Sequence, residues 1–302
     1  MPSPASPNRI KEVNERYHDA AAESYDSKWG IDFGATGQEQ VTGKLRKALG
    51  RDGGRTFDDA LEIGAGTGYF SLNLLQAGLI ERATATDISP GMLATLERNA
   101  ADLGLEVRTA AAEAETLPFA DESFDLVFGH AVLHHIPELR QAFSEFARVL
   151  RPGGALAFCG EPSRYGDFLA ALPKRTALLA APLWRRLVGA SARRYEAESD
   201  PNGHGLEFEV DVHAFSPGDL RRFCRDAGLS GVRVRGEELL ASMHGWTVRT
   251  LEASAEPDQV PWGWRRFAFR SYLALQRVDN QWLEPRLPPE LFYNLLVAAR
   301  KP

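Results

Sequence analysis

Three glycines at alternate positions follow a short apolar run, and an acid follows the next apolar run. Residues 61–68 read Leu-Glu-Ile-Gly-Ala-Gly-Thr-Gly, and Asp87 comes directly after the run 83–86. Glycine has no Cβ, so the backbone can turn sharply and approach a ligand closely. The first amides of the next helix would then point at that ligand. Asp87 offers two acceptor oxygens, which suits the two hydroxyls of a ribose. These residues therefore predict a nucleoside site.

The spacing of the glycines separates two kinds of nucleoside-binding turn. The usual dinucleotide fingerprint is G-x-G-x-x-G, whereas this chain has G-x-G-x-G from Gly64 to Gly68, with Glu62 before it. No third glycine is placed for a pyrophosphate-binding helix. The run Glu62–Gly68 resembles motif I of the class I S-adenosylmethionine (SAM)-dependent methyltransferases. An NAD(P)-dependent oxidoreductase remains an alternative, and binding of SAM or of NAD distinguishes the two.

Further segments extend this resemblance along the chain. They are 87–93, 113–119, 123–128, 133–137, 148–154 and 294–302. The similarity is dense over 57–161, looser over 215–240 and 291–302, and closest to the small-molecule branch that includes the ubiquinone and menaquinone C-methyltransferases. It implies an α/β, Rossmann-like fold: a seven-stranded mixed sheet of order 3-2-1-4-5-7-6, with helices on both faces and two helical inserts.

The resemblance also implies the cofactor, SAM, its product S-adenosylhomocysteine (SAH), and the residues that hold them. The glycine turn would hold the methionine moiety, Glu62 its ammonium group and Asp87 the ribose. Glu113 would accept from the adenine amino group, and the backbone at Gly129-His130 would meet the methionine end. The whole implied set is Glu62, Gly64, Ala65, Gly66, Gly68, Asp87, Ile88, Met92, Glu113, Ala114, Gly129 and His130.

Several histidines are candidates for a general base, although the sequence does not decide between them. His130, His134 and His135 follow the fourth predicted strand, where the transferred methyl group is expected. His204 lies in the polar stretch 200–205. Histidine titrates near neutrality, which suits proton abstraction. The alternative for the stretch around His134 is a packing role. The catalytic candidates are therefore His130, His134 and His204.

Composition limits the partners and the compartment. A net charge of −6 over 302 residues argues against a general nucleic-acid binder, because phosphate contacts need a basic surface.

The two cysteines, Cys159 and Cys224, are predicted to be buried free thiols. No apolar run approaches the roughly 20 residues of a membrane span, and no secretory signal precedes residue 8. Neither H-E-x-x-H nor C-x-x-C occurs, so we expect no metal. We predict a cytoplasmic protein.

Gly, Pro and helix-capping residues indicate the boundaries between the predicted segments of the chain. We predict a disordered leader (1–7), an N-terminal helical cap (8–56), a SAM-binding core (57–161), an insert or lid (162–214), a core helix and strand (215–240), a second insert (241–290) and a terminal strand of the core (291–302). Asn8 is expected to cap the first helix. Tyr17, Tyr25 and Trp29 would either form a lid over SAM or pack within this cap.

The two inserts differ in composition. The first carries seven bases against Asp167, namely Arg164, Lys174, Arg175, Arg185, Arg186, Arg193 and Arg194, with leucines between them. An amphipathic basic helix suits an anionic substrate or a membrane surface, and the alternative is a solvated lid face. The second insert is aromatic, as in a ligand pocket or a plain core. We expect both inserts to form the pocket for an apolar or anionic acceptor.

The sequence therefore favours a SAM-dependent methyltransferase that acts on an oxygen or carbon atom of a small natural-product or lipid-like acceptor. A SAM/SAH-binding regulator or inactive homologue is the second interpretation. Gly129-His130-Ala131-Val132 stands where methyltransferases of exocyclic base amines carry an Asn-Pro-Pro-Tyr type motif, so that class is not expected. The sequence decides neither the acceptor nor the oligomeric state.

Overall fold

The computed structural model describes residues 6–22, 25–26, 30–193 and 212–302. The strands are β1 Phe57–Ile63, β2 Ile80–Asp87, β3 Arg108–Ala111, β4 Phe124–His130, β5 Leu150–Pro162, β6 Ser230–Glu237 and β7 Asn294–Arg300. The α-helices are α1 Pro7–Ala21, α2 Ala35–Leu49, α3 Tyr69–Gln76, α4 Pro90–Asp102, α5 Leu139–Val149, α6 Gly166–Val188, α7 Pro217–Asp226, α8 Leu240–Ala253 and α9 Trp262–Val278. His204 and Trp29 lie outside the described residues.

All seven strands form one sheet of order β3-β2-β1-β4-β5-β7-β6, which confirms the predicted topology. The strands β1 to β5 pair in parallel. The strand β7 is antiparallel to β5. Ser163 N donates to Tyr293 O (2.8 Å) near one end of this pair of strands, and Gly153 N donates to Lys301 O (3.0 Å) near the other. The carboxyl ends of β1, β2 and β4 therefore lie along one edge, where ligands bind in sheets of this kind.

The chain forms two compact units. Unit 1 comprises Met1–Glu161, Asp200–Val234 and Leu296–Pro302, and its core includes the fully buried Phe57 and Leu126. Unit 2 comprises Pro162–Ser199 and Arg235–Leu295, so it takes in parts of both predicted inserts. Its core packs α6 against α8 and the segment that follows α8, through Ala177, Trp184, Leu251, Ala255 and Val260.

Local capping explains where several helices begin. Ser89 Oγ accepts from Met92 N (3.1 Å), with Pro90 in the first helical position, as predicted. Ser216 and Asp219 form a capping box at the start of α7. The prediction that Asn8 caps the first helix is wrong. Pro7 already occupies the first turn, since it has no N–H to satisfy, and Ser6 Oγ accepts from Arg9 N (3.4 Å) instead.

Cys159 and Cys224 are both buried free thiols, which confirms the prediction made for them. Within the described parts of the chain, no helix is long and apolar enough to cross a membrane.

Candidate functional site

The glycine turn has a backbone that only glycine adopts easily. Gly64, Gly66 and Gly68 have φ of 62°, 52° and 92° respectively. A Cβ on Gly64 would also lie 2.2 Å from Val132 Cγ2, so this position has no space for a side chain. The turn is tied to the next strand, because Ala65 N donates to Thr86 O (2.9 Å). The turn is therefore held at the carboxyl edge of the sheet.

Asp87 links this turn to the start of α4. Its Oδ2 accepts from Gly66 N (2.8 Å) and its Oδ1 from Ser89 N (2.9 Å). Burial raises the pKa of the Asp87 carboxyl, while the positive potential of His18 and the backbone amides act in the opposite direction. A carboxylate accepts about four hydrogen bonds. It therefore keeps capacity for a ribose while it fixes the turn.

Glu62 is buried below the turn. Its Oε2 accepts from Ser71 N (3.0 Å), so it caps the N-terminus of α3. Burial raises the pKa of the Glu62 carboxyl to about 8, and the nearby charge of Asp87 acts in the same direction. The side chain is therefore largely protonated at pH 7. A cationic ligand group beside it would favour the charged form.

The residues that the family resemblance implies for adenine binding differ in how far their side chains are buried. Met92 is fully buried on α4. Ile88 and Ala114 are half-buried, whereas Glu113 is exposed. Glu113 already has a partner in the N-terminal helix, since Lys11 Nζ donates to its Oε2 (2.6 Å) and also pairs with Glu115 (3.2 Å). A ligand amino group at Glu113 would therefore share the carboxylate with Lys11.

Two acids of the N-terminal segment contact the same edge and were missed by the sequence analysis. Asp19 Oδ1 accepts from Gly91 N (2.9 Å) and from the hydroxyl of Ser89. Asp26 accepts from the hydroxyl of Thr67 and from Asn99 Nδ2 (3.0 Å). No local spacing marks either acid, because each partner lies far away in the sequence. The N-terminal segment is therefore built into the site.

His134 lies beside a buried carboxylate. Its Nδ1 lies 3.0 Å from Glu161 Oε2, and Glu161 is fully buried at the end of β5. Glu161 also accepts from the amides of Val132 and Leu133 (3.0 Å each). When Glu161 is ionised it only accepts, so Nδ1 carries the proton and Nε2 is the basic nitrogen. Glu161 was missed, although an acid ending a buried strand is itself a signal.

The other histidines have different neighbours. His130 stacks on Phe70, with ring centroids 4.6 Å apart. His135 lies between two imidazoles, 3.9 Å from His134 and 5.7 Å from His18 by ring centroids. Among the described residues, no group of three or more His, Cys, Asp and Glu side chains is arranged to hold a metal ion.

The part of the chain that contains the glycine turn and Asp87 is similar to known proteins. Residues 61–158 match the family described as "Methyltransferase domain". The chain is 32% identical over 164 residues to a demethylmenaquinone methyltransferase of Mycobacterium sp. (strain JLS), covering 53% of this chain and 68% of the relative. The chain belongs to the class I SAM-dependent methyltransferases. Members of this family use SAM as the methyl donor, and the matched residues include the glycine turn and Asp87.

Other similarities to this methyltransferase chain are partial or concern the fold alone. A malonyl-[acyl-carrier protein] O-methyltransferase of Methylococcus capsulatus is 40% identical over 150 residues, covering 45% of this chain and 53% of the relative. The chain thus spans about half the length of the first curated relatives. Phosphoethanolamine N-methyltransferase 2 of Haemonchus contortus, in complex with SAH, has a TM-score of 0.59 at 17% identity, covering 100% of this chain and 62% of that one.

We expect Asp87→Asn to weaken SAH binding by about tenfold to a hundredfold, since a hydrogen bond to a charged group contributes about 1.5–3 kcal/mol. The amide keeps one acceptor oxygen for the turn, so the fold should survive. Titration calorimetry measures the affinity, and a thermal melt verifies folding. Asp58→Asn, at an exposed acid near the start of β1 and away from this turn, is the matched control. Unchanged SAH affinity in the Asp87 variant would show that this carboxylate does not bind the ribose.

Binding of SAM at pH 7 should release up to about 0.9 proton from Glu62, because its pKa is about 8 in the ligand-free protein and a cation beside the carboxylate lowers that pKa. Calorimetry in buffers of different ionisation enthalpy measures this release. Glu62→Gln should abolish most of it. Equal release from the wild type and the variant would assign the proton to another group.

Proposed function

We propose that this methyltransferase transfers the methyl group of SAM to an oxygen or carbon atom of a small natural-product or lipid-like acceptor. The observation that carries the proposal is the cofactor motif: the glycine turn, with Asp87 bonded to Gly66 N (2.8 Å). The named relatives supply the acceptor class, since one is an O-methyltransferase of a malonyl-[acyl-carrier protein] and another acts on demethylmenaquinone. Methyl transfer is a displacement, so the protein must chiefly align the acceptor and exclude water.

An apolar acceptor is supported by the side chains that line a small cleft within unit 2. The cleft has a cavity volume of about 10 Å³, and it is lined by Leu169, Ala170, Leu239, Ser242, Met243, Trp246 and Tyr293. Lys174 Nζ lies 3.9 Å from the centre of the Trp246 ring, which places a cation beside this apolar surface. Such a combination suits an acceptor with an apolar body and an anionic group. That the segments 162–214 and 241–290 select the acceptor stays a prediction.

We favour His134 as the general base among the candidates. Its 3.0 Å contact with Glu161 fixes the ring orientation and the tautomer, which is how a carboxylate supports a catalytic imidazole. An acceptor hydroxyl or acidic carbon would lose its proton to Nε2 as the methyl group is transferred. His130 instead stacks on Phe70, which supports a packing role for it.

Incubation of the full chain with methyl-labelled SAM tests the proposal. The acceptors to supply are a malonyl thioester on an acyl-carrier protein, demethylmenaquinone and a metabolite extract. Formation of SAH with an equal amount of labelled product is expected, and Asp87→Asn is the control. SAH binding without turnover on any acceptor would favour the SAM/SAH-binding regulator. We further propose that the protein is cytoplasmic.

A further inference from the structure

The helix α6 has its small residues inside and its large apolar residues outside. Ala170, Ala177 and Ala181 are each 2% exposed, and the last two pack in the core of unit 2. On the outer side, Phe168 and Leu179 are both 84% exposed and Leu187 is 77% exposed. Ordinary surface helices show the opposite arrangement. Large contiguous apolar patches on a protein surface mark sites of interaction with proteins or membranes.

The helix α9 continues this pattern within the same unit. Trp262 is 74% exposed, and Phe267 and Phe269 are each more than half exposed. The two helices meet through Trp184 and Trp264, whose ring centroids are 5.1 Å apart, and Trp264 in turn contacts Phe267 at 5.9 Å. We call the exposed side chains of α6 and α9 the apolar-basic face of unit 2.

The charge on this face is positive. The two helices carry Lys174, Arg175, Arg185, Arg186, Arg265, Arg266, Arg270 and Arg277 against one acid, Asp167. Elsewhere in the described part of unit 2, four acids are buried, namely Glu237, Glu238, Asp279 and Glu284. Four others are half-buried or exposed, namely Glu252, Glu256, Asp258 and Glu290, and the eight bases of the two helices outnumber them. The chain as a whole carries −6. The positive charge is therefore concentrated where the apolar side chains are exposed.

We propose that the apolar-basic face binds the surface of a bilayer that contains anionic lipids. Helices that lie in a membrane interface combine exposed Trp, Phe and Leu with Lys and Arg, as α6 and α9 do. The apolar side chains enter the boundary between headgroups and acyl chains, and the bases contact the anionic headgroups. None of the described helices spans a bilayer, so the contact is interfacial.

Charge favours this occupant over a second copy of the chain. A two-fold dimer through this face would place the same patch on both sides of the interface. Arg175 and Arg186 of each copy would then lie close to the bases of the other, which is unfavourable. An anionic lipid surface complements both the charge and the apolar side chains.

Co-sedimentation of the full chain with vesicles tests the proposal. Vesicles of phosphatidylcholine alone are compared with vesicles in which about a third of the lipid is phosphatidylglycerol, at low and high salt. We expect binding to the anionic vesicles only, with a decrease as salt rises. Arg175→Glu combined with Arg186→Glu should weaken binding by about tenfold or more. Arg51→Glu combined with Arg108→Glu, two exposed bases of unit 1, should leave it unchanged.

A second variant tests the apolar part of the face. Leu179→Gln combined with Leu187→Gln alters two outward side chains, so unit 2 should fold as before. We expect weaker vesicle binding with its salt dependence retained. No binding to anionic vesicles at low salt, equal binding to neutral vesicles, or equal loss in the Arg51/Arg108 control would overturn the proposal. So would a stable dimer in sedimentation velocity that the leucine variant dissociates.

Discussion

Replacement of His134 by glutamine should lower turnover by about a hundredfold or more, the usual contribution of a positioned general base. The affinity of this variant for SAH should remain within about twofold of the wild-type value, because in the proposed role the imidazole accepts a proton and does not bind the cofactor. Glu161→Gln should lower turnover less, since it removes the charge behind Nδ1 and retains a hydrogen-bonding group. Steady-state kinetics with the acceptor found by labelling measures both effects.

The neighbouring imidazole provides the matched control for this prediction. His135 lies on the same short turn, with its ring 3.9 Å from that of His134. His135→Gln therefore disturbs the packing of the turn without removing the ring beside Glu161. If the two glutamine variants lose turnover equally, the turn matters for packing and His134 is not the base. A flattened pH dependence of the rate confined to the His134 variant would support its role in proton transfer.

Replacement of Gly64 by alanine should lower the free energy of unfolding by about 2–5 kcal/mol. The left-handed backbone costs a residue with a Cβ about 1–2 kcal/mol, and the new methyl group would lie 2.2 Å from Val132 Cγ2. Forcing an extra carbon into a packed site costs about 1–3 kcal/mol more. Denaturant unfolding followed by circular dichroism measures the change. SAH binding should fall as well, because the turn must shift.

Gly78 offers a control with the same backbone but open space. Its φ is 65°, close to the 62° of Gly64, and a Cβ there would meet no atom within 4 Å. Gly78→Ala should therefore cost only the backbone strain, and the difference between the two variants isolates the contact with Val132. Similar losses in both variants would mean that the chain near Val132 moves aside at little cost.

The glycine turn and several helix starts could be predicted because their signals are local, whereas the order of the strands came from the family resemblance. Glycines at 64, 66 and 68 with Asp87 marked the turn, and Ser89-Pro90 and Ser216-Pro217 marked helix starts that the structure confirms. The error at the first helix was also local, since Ser6 rather than Asn8 is the cap. Features whose partners lie within a few residues can thus be read from the sequence.

The remainder of the candidate site depends on contacts between distant segments. Lys11 and Glu113 are separated by 102 residues, and Asp26 and Thr67 by 41. Nothing in the spacing of these residues indicates that they meet. The sequence left open which side of α6 its leucines would occupy. The structure exposes them, and the alanines between them allow α6 to pack closely against the rest of unit 2.

The position of β7 has a consequence for how the polypeptide acquires its structure. Because β7 inserts between β5 and β6, Lys301 must reach Gly153 after all the intervening residues have been synthesised. Closing so long a loop is slow, and the pairing comes late for a chain with non-local contacts. Until then β5 and β6 each present an unpaired edge, which can join another chain. Coexpression with chaperones or a lower growth temperature should therefore raise the yield of native protein, since both limit association during this interval.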